Sequence, residues 1–180
     1  VTMAYADAPT PARAIVLAGH TANSALWLDP ATGNWASSTF YRDMPGTVAT
    51  RNRIRPLVTR MDTMSWTPAL DPADYPALPE HLRKYPFRYV IPRGERTPDR
   101  IERFVGSPLG NTEITDVAID IIRNLSLGSH DGTDVLSLAY TLAPYQYSKS
   151  ADTRMERMDA YVRLDRDLGR LFRAADGTAG

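Results

Sequence analysis

The sequence predicts an α/β fold: a partial sheet with flanking helices, an antiparallel hairpin and a long proline-rich irregular insertion. Short apolar runs are typical of buried strands, and two longer segments carry apolar residues at helical spacing. Toward the C-terminus these elements alternate as strand, helix, strand, helix, which favours a parallel pair of strands. Apolar residues make up 43% of the 180 residues, enough for one domain with a sizeable core.

The first part of the chain, residues 1–64, is predicted to hold strands and a hairpin. Residues 13–18 form a short apolar run before a Gly-His step, which predicts a buried strand that ends in a loop. Residues 25–28 and 35–41 predict two further strands. The proline and glycine between them, within residues 29–34, form a turn signal that predicts a hairpin.

The middle of the chain, residues 65–108, reads as an irregular insertion. Many of the 14 prolines lie there, and proline restricts both helices and central strands. We expect only brief helical or strand pieces in it. Just before it, a helix is predicted from Pro45 to about Arg55, with proline at an early position.

The last part, residues 109–180, predicts helix, strand and helix. Residues 112–125 carry an apolar face at helical spacing, and Gly128 is a suitable stop. Residues 133–142 predict a buried strand, and residues 150–175 predict a second long helix with an apolar stripe. Residues 1–180 are therefore expected to form one segment with three parts.

Composition excludes several classes of protein. There is no cysteine, which excludes disulfides, thiolate zinc sites and a cysteine nucleophile. The 21 basic and 21 acidic residues balance, so no nucleic-acid partner is expected. No apolar run approaches the ~20 residues that span a bilayer, so no membrane span is expected. The chain begins with Val1 and shows no signal peptide, so we expect a segment of a longer parent chain. Its oligomeric state stays open.

Three histidines are scattered along the chain at His20, His81 and His130. Zinc sites without cysteine need several histidine or carboxylate ligands close together, so structural or surface roles are the simpler interpretation. His20, His130 and Asp131 remain the candidates for an altered site. The His-Asp-Gly step at residues 130–132 resembles part of a metal-site loop, but a turn explains it as well.

Carboxylates and aromatic residues give further expectations. Glu156 and Asp159 share one face of the last helix among arginines, so we predict surface salt bridges. Asp165 follows the apolar stripe and is predicted to be partly buried. The tryptophans predict core packing, whereas several other rings could line a groove: Phe40, Tyr41, Tyr140, Tyr145 and Tyr147.

Several separated motifs resemble one family in order and spacing. A Gly-His ending follows an apolar run, a Trp-containing hairpin precedes a Ser-Ser-Thr run, and a Pro-Leu-Gly-Asn step opens a helix. The last helix has the pattern Asp-x-Tyr-x-Arg-Leu-Asp. These motifs occupy residues 14–20, 25–29, 33–41, 107–111, 134–139 and 159–165. Together they resemble the phosphate-irrepressible alkaline phosphatases, a branch of the alkaline phosphatase and nucleotide pyrophosphatase superfamily. The resemblance covers the middle of the family's catalytic domain.

The resemblance also implies where the family's site residues should lie. The family holds a catalytic zinc ion with an Asp-x-x-x-His pair, and a gapless match places Pro144 and Ser148 there. It binds phosphoryl oxygens with a Lys-x-Arg pair just before the first strand, and the match places Thr10 and Ala12 there. Arg13 lies one step further on, where it would point to the other face of a strand. We therefore expect no catalytic, metal-binding or phosphate-binding residue and no cofactor in this chain.

The function that this resemblance implies is an alkaline-phosphatase-like domain that is catalytically inactive and has a binding or scaffold role. The alternative is a piece of a working metal-dependent phosphomonoesterase or phosphodiesterase, completed by residues outside this chain. A third hypothesis is a partner-binding module that uses residues 65–108. The family implies a periplasmic or secreted location.

Overall fold

The computed structural model describes residues 4–41, 44–75, 77 and 86–177, so His81 lies outside the described residues. The α/β prediction is confirmed. In chain order the elements are β1 (Ala4–Ala8), α1 (Pro11–Ala18), β2 (Ser24–Leu28), β3 (Trp35–Ala36), α2 (Gly46–Ile54), α3 (Leu57–Arg60), β4 (Ser65–Trp66), a 3-10 turn (Pro72–Asp74), β5 (Tyr89–Val90), α4 (Thr97–Val105), α5 (Pro108–Asn124), β6 (Val135–Leu138) and α6 (Arg154–Asp176).

The main sheet has four strands in the order β3-β2-β1-β6. Strand β1 pairs in parallel with β2 and with β6, which places Asp7 between Leu26 and Leu138. Strand β2 pairs with β3 in antiparallel orientation, so the predicted hairpin is confirmed. A separate antiparallel pair joins β4 to β5.

Helix α1 corrects the prediction of a strand at residues 13–18. The first strand is β1, and the apolar run that follows it is helical. Pro11 opens α1 because its fixed φ suits the first helical turn. Ala14 and Ala18, four residues apart, face the sheet and are buried, whereas Val16 is 81% exposed. The strand prediction was wrong because a short apolar run is found both in buried strands and in helices that pack on a sheet.

Other element boundaries also differ from the prediction. Strand β3 has only two residues, and the chain after it turns back so that the Tyr41 hydroxyl donates to the Gly19 carbonyl. Strand β6 was predicted to be buried, but Val135 is 40% exposed because β6 lies at one side of the sheet. Residues 65–108 include the nine-residue helix α4 as well as short strand pieces.

The core lies between the sheet and helix α5. Leu26 and Leu28 of β2 face α5, and Ile114, Val117 and Ile121 of α5 pack against that face. Small residues of β1, β2 and α1 fill the opposite face. Helix α6 packs on the outer side of α5. The sheet is thus covered on both faces, as is usual for parallel strands. In the described parts of the chain, no helix is both long enough and apolar enough to cross a bilayer.

Candidate binding cleft

The parallel strands β1, β2 and β6 end at the same edge of the sheet, which is where α/β folds usually form their sites. A cleft of about 370 Å³ lies at this edge. We call it the edge cleft. Its walls come from the segments after β1, β2 and β6 and from helix α4. They include Thr10, Pro11, Arg13, Leu28, Pro30, Ile101, Glu102, Val105, Thr141, Pro144 and Tyr147.

Thr10 and Pro144 lie in the wall of this one cleft, although they are far apart in the sequence. Thr10 has the extended backbone of an N-cap residue before α1, and its side chain makes no capping hydrogen bond. Ala12 is exposed on the first turn of α1 and is not among the lining residues. The structure thus places one residue of each family motif at the edge cleft.

Arg13 corrects a second expectation. It does not point to the other face of a strand but lines the edge cleft with Thr10. The reason is that residues 11–18 are helical, and a helix turns by about 100° per residue where a strand alternates by 180°. The Arg13 guanidinium donates from Nη1 to Thr141 Oγ1 at 2.8 Å. This bond links the start of α1 to the segment after β6.

Ser148 lies away from the edge cleft, and its hydroxyl is engaged. Its Oγ lies 2.8 Å from the Tyr89 hydroxyl and accepts a hydrogen bond from the Ser150 backbone N–H at 3.2 Å. Pro144 has no side-chain atom that can ligate a metal ion. Across the described residues there is no group of three or more His, Asp or Glu side chains that could hold one. The described residues at the expected positions therefore do not fit a zinc ion.

The three candidates for an altered site do not meet at the edge cleft. His20 precedes β2 and His130 precedes β6, so both lie toward the amino edge of the parallel strands, opposite the cleft. The His20 ring contacts the Phe40 ring edge-on at 5.7 Å. His130 Nδ1 lies 3.7 Å from Asp134 Oδ2. Asp131 is exposed.

Glu156 and Asp159 are buried, so their predicted surface location is wrong, but the predicted pairing with an arginine is found for Asp159, which forms a salt bridge with Arg163 at 2.7 Å. Asp159 accepts hydrogen bonds from Trp66 Nε1, the Ala69 N–H and the Tyr75 hydroxyl. Glu156 accepts one from the Tyr89 hydroxyl at 2.6 Å. These donors come from β4, from β5 and from the described residues between them, which cover the first half of α6.

The prediction for Asp165 is also wrong, because it is exposed. The buried carboxylate of this part of α6 is Asp167, which accepts hydrogen bonds from Thr112 at 2.8 Å and from Arg170 at 2.8 Å. The two positions are i and i+2, so they lie on different faces of the helix. The sequence analysis selected Asp165 and missed Asp167.

Asp7 is a buried ionisable residue that the sequence analysis did not select as a candidate. It is the fourth of the five residues of β1 and has no exposed surface, and neither carboxylate oxygen has a hydrogen-bond partner. Burial raises its pKa to about 8, so the carboxyl is largely protonated at neutral pH. The Ser24 hydroxyl on the neighbouring strand is also buried without a partner.

The five aromatic residues that the sequence offered as a possible groove lie in three different parts of the structure. Tyr145 and Tyr147 contact each other with ring centroids 5.5 Å apart. Tyr140 packs against the main core, and its hydroxyl lies 3.1 Å from Thr115 Oγ1. Phe40 and Tyr41 contact each other near His20. Tyr145 and Tyr147 line one concave surface together.

Comparison with known proteins shows similarity to parts of longer proteins, two of which are named alkaline phosphatases. No protein-family model matches it. It is 32% identical to a protein named calcium-transporting ATPase from Myroides odoratus, over 92% of this chain and 32% of that protein. It is 26% identical to alkaline phosphatase PhoV of Synechococcus elongatus and 26% identical to alkaline phosphatase PafA of Elizabethkingia meningoseptica, again over 32% of each. The chain therefore spans about a third of the length of these relatives.

Solved structures agree with this similarity. A crystal structure of a PafA variant superimposes with a TM-score of 0.76 at 25% identity, covering 99% of this chain and 37% of that one. The wild-type PafA structure gives a TM-score of 0.75 at 23% identity. The order of strands and helices is thus that of part of PafA, and the sequence and structural similarities support assignment to the alkaline-phosphatase-like superfamily.

Proposed function

We propose that this chain is a catalytically inactive alkaline-phosphatase-like segment with a binding or scaffold role, and that its residues 1–180 act as one segment of that domain. The observation that carries the proposal is the pair Thr10 and Pro144 in the wall of the edge cleft. The family resemblance expects a lysine and a metal-binding aspartate there.

The chemistry of the cleft wall supports this proposal. Metal-dependent phosphatases use bound metal ions to activate a nucleophile and to stabilise the leaving oxygen. A proline cannot contribute to such a site, and a threonine hydroxyl cannot neutralise a phosphoryl group as a lysine does. Arg13 supplies a single guanidinium, one N–H of which already binds Thr141.

The edge cleft suits a ligand with apolar surface. Leu28, Ile101 and Val105 line it together with several prolines. Ligand sites are commonly lined by apolar side chains with a few polar groups that set orientation. Here those groups include Arg13 and Thr141, which are joined by a hydrogen bond, together with Thr10, Glu102 and Gln146.

Zinc titration by calorimetry on the product of the longer reading frame that contains this chain, together with hydrolysis of p-nitrophenyl phosphate, tests the proposal. We expect no stoichiometric zinc binding and no turnover above the buffer rate, with a zinc-dependent alkaline phosphatase assayed in parallel as the positive control. Tight binding of zinc with turnover would remove the proposal. Together the two measurements distinguish a protein that does not bind zinc from one that binds zinc but does not hydrolyse the substrate.

A second candidate is a piece of a working phosphomonoesterase or phosphodiesterase whose site is completed by residues outside this chain. It is favoured by the fact that the chain spans only about a third of two relatives named alkaline phosphatases. Assays of a longer reading frame with added zinc, on monoester and diester substrates, distinguish the two. Activity that His130→Ala abolishes and His20→Ala retains would support an altered site at residues 130–131.

We also propose a periplasmic or secreted location, as the family resemblance implies. Cell fractionation of the product of the longer reading frame tests it. Recovery in the cytoplasmic fraction would contradict it.

A further inference from the structure

A second concave surface lies beside the edge cleft, and Tyr147 lines both. We call it the aromatic groove. Its volume is about 610 Å³. Its walls combine four aromatic rings, from Phe87, Tyr89, Tyr145 and Tyr147, with three cationic side chains, from Arg88, Arg103 and Lys149.

Contacts with buried residues hold the rings of the aromatic groove in place. Tyr145 contacts Tyr89 at 4.8 Å and buried Trp66 at 5.2 Å between ring centroids. Trp66 is fixed by its hydrogen bond to Asp159, and Tyr89 by its hydrogen bond to Glu156. Rings that are already immobile lose little conformational entropy when a ligand packs on them. The groove is therefore prepared for a flat ligand.

The charge on the groove walls is positive. No acidic residue is among the described side chains that line it. Arg103 is paired with Glu95 through two hydrogen bonds of 2.5 and 2.6 Å, and its guanidinium lies 4.0 Å from the Tyr147 ring centroid. Arg88 and Lys149 are exposed. They place two positive charges at the rim. The carboxylates beside the groove bond other groups: Glu95 pairs with Arg103, Glu102 bonds Tyr147, and Glu156 accepts from the Tyr89 hydroxyl.

From this combination we propose that the aromatic groove binds an organic anion carried on a planar ring. The ring packs on Tyr89 and Tyr147, the partly exposed tyrosines of the groove, and the anionic group faces Arg88 and Lys149. Exposed cations alone hold a small anion weakly because water and salt screen them. Ring packing supplies the additional free energy, so the ligand class is defined by both features.

This groove differs from the edge cleft in its chemistry. The edge cleft is lined by prolines and aliphatic side chains with Arg13, whereas the aromatic groove has tyrosines with Arg88 and Lys149. The two proposals are therefore independent. Binding in the aromatic groove needs no metal ion and leaves the zinc and turnover measurements unchanged.

Calorimetric titration of the 180-residue chain with naphthalenesulfonate tests this inference. Two matched probes separate the features: naphthalenesulfonamide keeps the ring without the charge, and methanesulfonate keeps the charge without the ring. We expect naphthalenesulfonate to bind at least about tenfold more tightly than either, a difference of about 1.4 kcal/mol. Equal affinity for either partial probe, or no binding of naphthalenesulfonate up to about 1 mM, would overturn the inference.

Variants locate the site. Arg88→Gln combined with Lys149→Gln should weaken naphthalenesulfonate binding about tenfold, and these exposed positions leave the fold intact. Arg13→Gln, at the edge cleft, is the matched control and should leave the dissociation constant unchanged. If Arg13→Gln weakens binding and the double variant does not, the ligand is in the edge cleft and the assignment to the aromatic groove is wrong.

Discussion

Arg51 and Glu113 form a two-pronged ion pair inside the protein. Arg51 Nε donates to Oε1 at 3.0 Å and Nη2 donates to Oε2 at 2.9 Å, with side-chain exposures of 7% and 2%. Arg60 donates two more hydrogen bonds to the same carboxylate, and Trp35 Nε1 donates another. One carboxylate of α5 thus connects α2, α3 and β3.

Glu113→Gln is expected to lower the free energy of unfolding by up to about 3–5 kcal/mol, because it removes the buried counter-charge that Arg51 and Arg60 share. Asp120 and Asp116, 3.0 and 3.5 Å from the Arg51 guanidinium, remain as partners and limit the loss. Urea denaturation followed by circular dichroism measures the change. Asp99→Asn is the matched control: it removes the carboxylate from an exposed pair with Arg96. It should not change the denaturation midpoint measurably. Similar losses in both variants would contradict the role of burial.

The pH dependence of stability should reveal Asp7. Its pKa is about 8 in the folded protein against an ordinary value of 3.8. Between these values the folded chain holds a proton that the unfolded chain has released. The free energy of unfolding should therefore fall by up to about 1.4 kcal/mol per pH unit as pH rises through this window.

Asp7→Asn removes that titration and should flatten the dependence between about pH 4 and pH 8, measured by denaturation at several pH values. Ser24→Ala is the control, since it removes a buried hydroxyl that also has no partner but does not titrate. It should shift the unfolding free energy equally at every pH. An unchanged slope in Asp7→Asn would show that another group is responsible.

Glu113 contributes in the opposite direction. Burial raises its pKa, but hydrogen bonds and charges from Arg51 and Arg60 outweigh burial and hold the pKa below its ordinary value. The resulting stability is present above the ordinary pKa and is lost as pH falls through the lower, folded value. Comparison of Glu113→Gln with the unaltered chain should show a difference that shrinks in acid. A difference that grew in acid would contradict this sign.

Gly33→Ala tests the turn between β2 and β3. Gly33 has a φ of 71°, and an added Cβ would lie 2.7 Å from Val58 and 2.9 Å from Ile101. Left-handed strain and overpacking each destabilise by about 1–3 kcal/mol, so the melting temperature should fall by several degrees. Gly94→Ala, where no atom lies within 4 Å, should melt almost unchanged. Equal melting temperatures would show that the turn accommodates a side chain.

Tyr75→Phe tests the contact between the insertion and α6. The Tyr75 hydroxyl donates to Asp159 at 2.6 Å and accepts from the Ala69 and Leu70 N–H groups. Its removal leaves a buried carboxylate with fewer donors and should destabilise by about 1–3 kcal/mol. Tyr161→Phe, on the exposed side of α6, is the control and should have little effect. Amide hydrogen exchange would localise the loss to the segment between β4 and β5.

Strong periodicity accounts for the parts of the fold that the sequence predicts well. Residues 25–28 and the helix around residues 112–125 were placed correctly because their apolar residues face a core on the expected side. Residues 13–18 were predicted to be a buried strand because they form a continuous apolar run. Val16 and Leu17, which belong to that run, are exposed and do not pack in the core. Strand β1 was missed because its alanines and Asp7 carry little strand signal.

The candidate site was less accessible to sequence reasoning. The family resemblance identified Thr10 and Pro144, which the structure brings to one cleft. Helical periodicity assigned Glu156 and Asp159 to solvent because their partners lie in another part of the chain. Trp66, Tyr75 and Tyr89 come from the proline-rich segment, whose position over α6 depends on long-range packing and leaves no local pattern.

Strand β6 borders the sheet, with β1 on one side and no further strand among the described residues on the other. The backbone groups along this flank can template the addition of an extended peptide. Such a flank also favours pairing between molecules when the isolated chain is concentrated. Because β6 spans only four residues, the template is short, and a guest strand would gain few backbone bonds from it.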